Sequence, residues 1–210
     1  NLLQTEWKVG TFQNENCYNI LQAIILAGGF GTRLSGLLKN TPKPMAKIHD
    51  RPLLSIILDN IIRQGVTSII LSVGYKHNKI MNYFGNMYKT VPIIYSIEST
   101  PLGTGGAIKE AMKIASDDSI LVLNGDSYFD INFKSFFIFH DEFKSDISIG
   151  IKKLEKTDRY GTVILKKEKI VDFKEKHANK NAFINCGIYI IKRKIFKNIE
   201  HKKKSFSFEK

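Results

Sequence analysis

Three glycines and two basic residues follow a short apolar run near the start of the chain. Gly28, Gly29 and Gly31 come directly after that run, and Arg33 and Lys43 follow them. Backbone N–H groups of a glycine-rich turn after a strand can surround phosphate oxygens. A guanidinium and an ammonium would add the positive charge that a triphosphate requires. The pattern predicts a polyphosphate site, and the alternative is an ordinary strand-to-loop turn with two solvated cations.

The second cation lies between two prolines. Pro42 and Pro44 fix their own φ angles and bias Thr41 and Lys43 towards extended backbone. The Lys43 side chain is therefore expected to leave the backbone in a restricted direction and to converge with Arg33 on one polyphosphate.

Two other phosphate-binding patterns do not fit the glycine turn. A dinucleotide fingerprint would need a third glycine where Leu34 stands and an acidic residue at the end of the next strand, near Gly74. A Walker A loop would need Gly-Lys-Ser/Thr where the chain has Thr32 and Arg33. Both patterns are disfavoured.

Apolar runs and amphipathic segments alternate as far as Asp126. Strands are predicted at residues 23–29, 68–74, 91–98 and 119–126, and helices at residues 53–65, 79–88 and 105–115. This order predicts an α/β fold, a Rossmann-like, mostly parallel mixed sheet with helices on both faces. Segments 146–154, 160–176 and 182–192 predict a smaller β-rich extension with turns between its strands. Functional residues are expected at the carboxyl edge of the parallel strands.

The net charge of +12, from 32 basic and 20 acidic residues, could suit nucleic acid or a phosphate-rich substrate. Because the lysines are spread along the chain without a known nucleic-acid-binding motif, a specific nucleic-acid partner is disfavoured. Cys17 and Cys186 lack disulfide or metal spacing, so reduced, partly buried thiols are expected. No apolar run approaches the roughly 20 residues that span a bilayer. We expect a soluble cytoplasmic protein with no membrane partner.

Several motifs occur in an order that resembles the sugar-1-phosphate nucleotidyltransferases. "LAGGFGTRL" and "TPKPM" are similar to the family signature, and the later motifs are "PLGTGGA" from Pro101, "NGD" from Asn124, "RYG" from Arg159, "EK" from Glu175 and "NCG" from Asn185. The resemblance covers about residues 22–210. It implies the nucleotide-diphospho-sugar transferase fold with a sugar-binding β extension. It also implies transfer of a nucleotidyl group from a nucleoside triphosphate to a sugar 1-phosphate, with release of pyrophosphate.

The resemblance also implies roles for individual residues. Arg33 would hold the leaving phosphates, Lys43 would lie near the α-phosphate, and Asp126 would bind Mg²⁺ as cofactor at the end of its strand. These three are the catalytic candidates. Further nucleotide-binding candidates are Leu26, Ala27, Gly28, Gly29, Gly31, Thr32, Glu98, Pro101, Gly103, Thr104, Asn124 and Gly125. The sugar-phosphate candidates are Gly161, Glu175, Lys176 and Asn185.

Glu98 bears on the choice of base, because the family places this position against the base. A carboxylate accepts two hydrogen bonds from the N1–H and N2–H₂ edge of guanine, whereas thymine and uracil offer one imide donor between two carbonyl acceptors. GTP is therefore favoured, and a solvated glutamate at a strand end is the alternative.

Within the family, four longer motifs resemble guanylyltransferases acting on D-glycero-D-manno-heptose 1-phosphate: "PLGTGGAIKEA" from Pro101, "VLNGDSYFDI" from Val122, "DRYGTV" from Asp158 and "FSFEK" from Phe206. That similarity implies a GDP-heptose product used in bacterial capsule, lipopolysaccharide or surface-layer glycan synthesis. The alternatives are mannose 1-phosphate guanylyltransferases and then glucose 1-phosphate thymidylyl- or uridylyltransferases.

The motifs divide the chain into two segments. Residues 1–21 are expected to form a tail or accessory segment, and residues 22–210 the nucleotidyltransferase domain. The family has a second metal-binding aspartate beyond the "FSFEK" segment, so a C-terminally truncated domain is expected, with Asp130 as an alternative ligand. A non-catalytic nucleotide-binding module is the competing function, and a homo-oligomer is left open.

Overall fold

The computed structural model describes residues 22–29, 41–157, 161–174, 180–197 and 205–208. In chain order the elements are β1 (Gln22–Leu26), β2 (Lys47–Ile48), β3 (Arg51–Pro52), α1 (Leu53–Arg63), β4 (Ser68–Val73), α2 (His77–Phe84), β5 (Met87–Tyr88), β6 (Val91–Ile97), α3 (Gly103–Met112), β7 (Ser119–Asn124), α4 (Phe133–Glu142), β8 (Ile147–Lys156), β9 (Thr162–Lys166), β10 (Lys169–Lys174) and β11 (Lys180–Lys192). Short 3₁₀ helices cover Lys43–Met45 and Arg193–Lys197.

The main sheet has a parallel centre and antiparallel flanks. Strands β7, β1, β4 and β6 lie side by side in that order and run parallel. Strand β11 joins β7 in the antiparallel direction and carries β8 and β9, with β10 at the edge beyond β9. Strand β5 pairs antiparallel with β6 on the other flank. The predicted mixed α/β sheet with a β-rich extension is confirmed.

Strands β1, β4 and β7 are buried on both faces, which explains their continuous apolar sequences, whereas buried and exposed residues alternate along much of β6. Ile25 and Leu71 belong to a hydrophobic cluster that includes residues of α1, α2 and α4. Their neighbours Ile24 and Ile70 belong to a second cluster that includes residues of α3. Helices therefore cover both faces of the sheet, as predicted.

Two helices depart from the sequence expectations. The helix predicted at residues 79–88 ends at Phe84, because Gly85 adopts a φ of 60° and residues 87–88 form β5. Helix α4 was not predicted. Its Asn132 N-cap accepts a hydrogen bond from the Ser135 N–H at 2.9 Å, and its phenylalanines bury one face. The aromatic residues of this segment have weak helix propensity, so burial decides its conformation.

Two further findings concern the lengths of the helices and the state of the cysteines. No helix among the described residues is long and apolar enough to cross a membrane. Cys186 is buried and free, and burial raises the pKa of its thiol to about 11. Reduced, partly buried thiols were predicted, and Cys186 is free and buried. Cys17 lies outside the described residues.

Candidate active site

The carboxyl ends of the parallel strands meet at one edge of the sheet and are connected through their backbones. The Ala27 N–H donates to Ser72 O at 2.7 Å, and the Glu98 N–H donates to Val73 O at 2.8 Å. The Gly125 N–H donates to Leu26 O at 2.9 Å. Backbone hydrogen bonds therefore hold the glycine turn after β1 beside the residues that follow β4, β6 and β7, as predicted.

Glu98 follows β6 and lies directly against the glycine turn. A Cβ built on Gly28 would lie 2.5 Å from Glu98 Oε1, so glycine is what leaves space for this carboxylate. The Ser72 hydroxyl donates to Oε1 at 3.3 Å, and the Leu102 N–H donates to Oε2 at 3.2 Å. Within the described ranges, these partners of Glu98 are neutral donors.

Burial raises the pKa of Glu98, and the hydrogen bonds from Leu102 and Ser72 oppose that shift. The direction follows from desolvation, which disfavours the ionised form of a carboxyl group. The side chain is therefore a partly desolvated acceptor held in place by two donors.

Asp126 follows β7 and forms an ion pair with Lys43, whose side chain comes from the 3₁₀ helix Lys43–Met45. The two side chains are 32% and 36% exposed, and the Ser127 hydroxyl donates to Asp126 Oδ1 at 3.1 Å. The ion pair of Lys43 with Asp126 was not predicted, and the predicted convergence of Lys43 with Arg33 stays a prediction, because Arg33 lies outside the described residues. Because an ammonium already lies against this carboxylate, the position suits a cation.

Lys43 differs from the expectation in its backbone conformation. It was expected to be extended, but it begins a 3₁₀ helix in which the Met45 N–H donates to Pro42 O at 2.8 Å and the Ala46 N–H donates to Lys43 O at 3.0 Å. A proline near the start of a helix loses no intrahelical hydrogen bond, so Pro44 is tolerated there. These turn hydrogen bonds outweigh the pre-proline bias.

The "NGD" and "NCG" motifs contact each other across β7 and β11. Gly187 has a φ of +69°, and a Cβ there would lie 2.3 Å from Asn124 Nδ2. A Cβ on Gly125 would lie 2.8 Å from Leu26 O. Both glycines therefore permit close packing, so their presence in the motifs has a structural reason.

The sugar-phosphate candidates that the structure describes lie on the extension. Asn185 Oδ1 accepts the Gly187 N–H at 2.8 Å, and Asn185 Nδ2 donates to the Tyr189 hydroxyl at 2.9 Å, where the β8–β11 register shifts. Its amide thus shapes the strand locally. Ile184 pairs with Thr162, so continuing this antiparallel register would place Asn185 opposite Gly161.

The loop before α3 holds Pro101, and the first turn of α3 holds Gly103 and Thr104, which are also candidates. Thr104 Oγ1 accepts the Phe208 N–H at 2.9 Å, so this side chain contacts the C-terminal segment. Five candidates lie outside the described residues, namely Gly31, Thr32, Arg33, Glu175 and Lys176.

Sequence reasoning missed two residues that organise the site, Ser72 and Phe206. Ser72 is fully buried in β4, and its hydroxyl bonds Glu98. A serine inside an otherwise apolar strand was the available signal, because buried polar groups require partners. The backbone of Phe206 forms hydrogen bonds with Leu102 and Gly105, which lie far away in the sequence, and the local sequence pattern gave no signal for these contacts.

The described residues form an α/β fold in which this edge of the sheet carries Glu98 against Gly28 and the ion pair of Asp126 with Lys43. The chain belongs to the Nucleotidyl transferase family, which it matches over residues 22–209. The predicted family resemblance and the prediction of a nucleotidyltransferase are confirmed.

The chain is also similar to two named relatives and to one solved structure. It is 42% identical over 189 residues to a D-glycero-α-D-manno-heptose 1-phosphate guanylyltransferase of Aneurinibacillus thermoaerophilus, covering 90% of this chain and 82% of the relative. It is 43% identical over 190 residues to the protein of the same name from Campylobacter jejuni, covering 90% and 83%. The crystal structure of HddC from Yersinia pseudotuberculosis complexed with GMP-PN superposes with a TM-score of 0.81 at 35% identity, covering 90% and 83%.

Proposed function

We propose that this protein transfers GMP from GTP to D-glycero-D-manno-heptose 1-phosphate, forming a GDP-heptose and pyrophosphate. The observation that carries the choice of base is the position of Glu98. Its carboxylate lies beside the glycine turn, held by the Ser72 hydroxyl and the Leu102 N–H. Two similar relatives bear the name of a heptose 1-phosphate guanylyltransferase, which supports the choice of sugar.

In the proposed complex, Glu98 accepts hydrogen bonds from guanine N1–H and N2–H₂. A carboxylate oxygen carries two lone pairs, so each oxygen can keep its present donor and accept one from the base. Hydrogen bonds to an ionised acceptor are stronger than neutral ones, and they strengthen further when water is excluded. A uracil or thymine would instead place carbonyl oxygens near the carboxylate, so these bases bind less well.

The triphosphate would lie along the glycine turn, with Gly28, Gly29 and Gly31 providing backbone donors. Leu26, Ala27, Thr32, Pro101, Gly103, Thr104, Asn124 and Gly125 complete the proposed nucleotide site. Arg33 holds the β- and γ-phosphates, and Lys43 lies near the α-phosphate. An oxygen of the sugar phosphate attacks the α-phosphorus, and the bond to the bridging oxygen of the leaving pyrophosphate breaks.

Asp126 is the proposed ligand for Mg²⁺. No cluster of three or more His, Cys, Asp or Glu side chains suited to a metal exists in the part of the chain that the structure describes. Phosphate oxygens and water molecules would supply the remaining ligands. This fits Mg²⁺, which is commonly held by one or two carboxylates together with substrate phosphates. The bound ion would neutralise charge that develops on the phosphates. Lys43 would then leave Asp126 and contact the α-phosphate.

The sugar phosphate would bind on the β extension. Lys176 is proposed to hold its phosphate and Glu175 its hydroxyls, with the Gly161 backbone and Asn185 beside them. The product class, a nucleotide-activated heptose, suits a cytoplasmic enzyme that supplies bacterial capsule or other surface glycan synthesis.

The test is pyrophosphate release with Mg²⁺, offering GTP, dTTP, UTP and CTP against the 1-phosphates of D-glycero-D-manno-heptose, mannose and glucose. The proposal expects turnover with GTP and the heptose phosphate, with a lower kcat/KM for mannose 1-phosphate. GTP binding without pyrophosphate release would indicate a nucleotide-binding module. Preference for a pyrimidine nucleotide would overturn the assignment of the base.

Glu98→Gln tests the base contact directly. The amide keeps one acceptor but presents an N–H₂ group to a guanine donor, so the kcat/KM for GTP should fall by about tenfold to a hundredfold. Discrimination against UTP and dTTP should weaken, because an amide can pair with an imide N–H and an adjacent carbonyl. Glu110→Gln on the exposed face of α3 is a matched control. An unchanged ratio of GTP to UTP efficiency in Glu98→Gln would exclude this role.

A further inference from the structure

Residues Ser205–Phe208 lie against the first turn of α3, although about a hundred residues separate them in sequence. The Phe206 N–H donates to Leu102 O at 2.9 Å, and Phe206 O accepts the Gly105 N–H at 3.0 Å. The Gly106 N–H lies 3.4 Å from the same oxygen. Phe206 therefore contacts the loop on both sides of Gly103 through its backbone.

The sequence of the loop is adapted to this contact. Gly103 has a φ of +69°, and a Cβ there would lie 2.6 Å from Phe206 O. A Cβ on Gly105 would lie 2.2 Å and 2.4 Å from two atoms of the Phe206 ring. The glycines of "GTGG" thus make room for Phe206, so this part of the motif is explained by the C-terminal segment.

The same loop holds Glu98. Leu102, whose carbonyl accepts the Phe206 N–H, donates its own N–H to Glu98 Oε2 at 3.2 Å. Leu102 therefore connects Phe206 to the carboxylate through two hydrogen bonds. A shift of Leu102 would remove one of the two donors that hold Glu98.

We propose that Phe206 is a positioning residue for base selection, which fixes Leu102 and α3 so that Glu98 faces the base at a defined angle. This inference rests on the proposed function, in which Glu98 binds guanine. Phe206 itself need not touch the nucleotide. The Phe206 ring packs against Gly105 and holds the C-terminal segment there, and the Phe206 N–H fixes the position of Leu102 through its hydrogen bond to Leu102 O.

A purely structural role makes a different prediction. Phe206 also packs in the hydrophobic cluster that contains Phe196 and Ile108, so removing its ring will lower stability in either case. Phe196→Ala is therefore the matched control, because Phe196 belongs to the same cluster, and none of the hydrogen bonds given for the described residues joins it to Leu102, Gly105 or Glu98. The ratio of kcat/KM for GTP to that for UTP is independent of the amount of folded enzyme.

The experiment measures this ratio, with thermal unfolding, in the wild type, Phe206→Ala, Gly105→Ala and the double variant. Phe206→Ala should lower the ratio about tenfold, and Gly105→Ala should do the same because its methyl group displaces the ring. The double variant should be no worse than Phe206→Ala, since the clash has gone. Phe196→Ala should unfold at a lower temperature with the ratio unchanged.

The outcomes separate the two proposals. A wild type without a preference for GTP would overturn the proposed function. A wild type that prefers GTP, together with Phe206→Ala and Gly105→Ala variants that keep the same ratio, would overturn the positioning role alone. Additive losses in the double variant would also overturn it, because they would show that the two residues act independently.

Discussion

Two carboxylates stand at the same edge of the sheet and are held in different ways. Glu98, after β6, is held by a hydroxyl and a backbone N–H, and burial raises its pKa. Asp126, after β7, is paired with the ammonium of Lys43, and both side chains are about one-third exposed. The two positions share a strand-end location and differ in what surrounds them.

The difference in surroundings fits the two roles proposed for these carboxylates, which are binding the base for Glu98 and binding a metal for Asp126. Neutral donors orient Glu98 without neutralising it, so the carboxylate remains available to other hydrogen-bond donors such as the edge of guanine. A cation beside Asp126 shows that this carboxylate can be neutralised by a positive charge, which suits a metal bound to phosphates. Substitutions at the two positions should therefore change different kinetic quantities.

The largest effect is expected from Asp126→Asn. Loss of the proposed metal ligand should lower kcat by about a hundredfold to a thousandfold, by analogy with removing one group that stabilises a transition state. The free energy of unfolding should change by no more than about 1 kcal/mol, as is usual for exposed ion pairs. Pyrophosphate release and thermal unfolding measure the two quantities.

The matched control is Asp118→Asn, at the amino end of the same strand, where the carboxylate is fully exposed. Its kcat should stay near that of the wild type. Normal turnover by Asp126→Asn would show that this carboxylate does not contribute to the reaction.

A smaller effect is expected from Gly28→Ala, which acts on the other carboxylate. The new methyl group would lie 2.5 Å from Glu98 Oε1 and 3.2 Å from Gly74 N, so the Glu98 side chain must move. The kcat/KM for GTP should fall about tenfold relative to UTP. Gly150→Ala on β8 is the control, because this glycine is not part of the proposed site and the nearest atom to a Cβ there lies 3.4 Å away. Equal effects of the two substitutions on the GTP to UTP ratio would argue against a specific contact with Glu98.

The smallest effect concerns pH. Because burial raises the pKa of Glu98, the carboxyl group binds a proton at higher pH than its ordinary value of 4.5 implies. Only the ionised form accepts both guanine hydrogen bonds, so GTP affinity should fall as pH is lowered towards that raised pKa, approaching about tenfold per pH unit below it. Titration calorimetry from neutral to acidic pH measures the change. The same profile in Glu98→Gln would assign the titration to another group.

The sequence predicted the parallel centre well, because β1, β4 and β7 are largely apolar runs followed by a turn or loop. Ser68–Val73 and Ser119–Asn124 fall within their predicted segments. The extension was predicted only as strand-like segments. The pairing of the extension depends on β11. The C-terminal part of β11 pairs with β7 and its N-terminal part pairs with β9, and the register between β11 and β8 shifts partway along the two strands. Such long-range pairing has no local signature.

The family could be recognised from the order of the motifs alone, and the strand ends predicted where the site would lie, because motifs and strand ends are local features of a sequence. Three contacts were found only in the folded chain: Ser72 and Leu102 hold Glu98, Lys43 reaches Asp126 from a 3₁₀ helix, and Phe206 bonds the residues on both sides of Gly103. The physical reason is distance along the chain. Each of these contacts, apart from that of Leu102 with Glu98, joins elements separated by at least one intervening strand or helix, and packing alone fixes their approach.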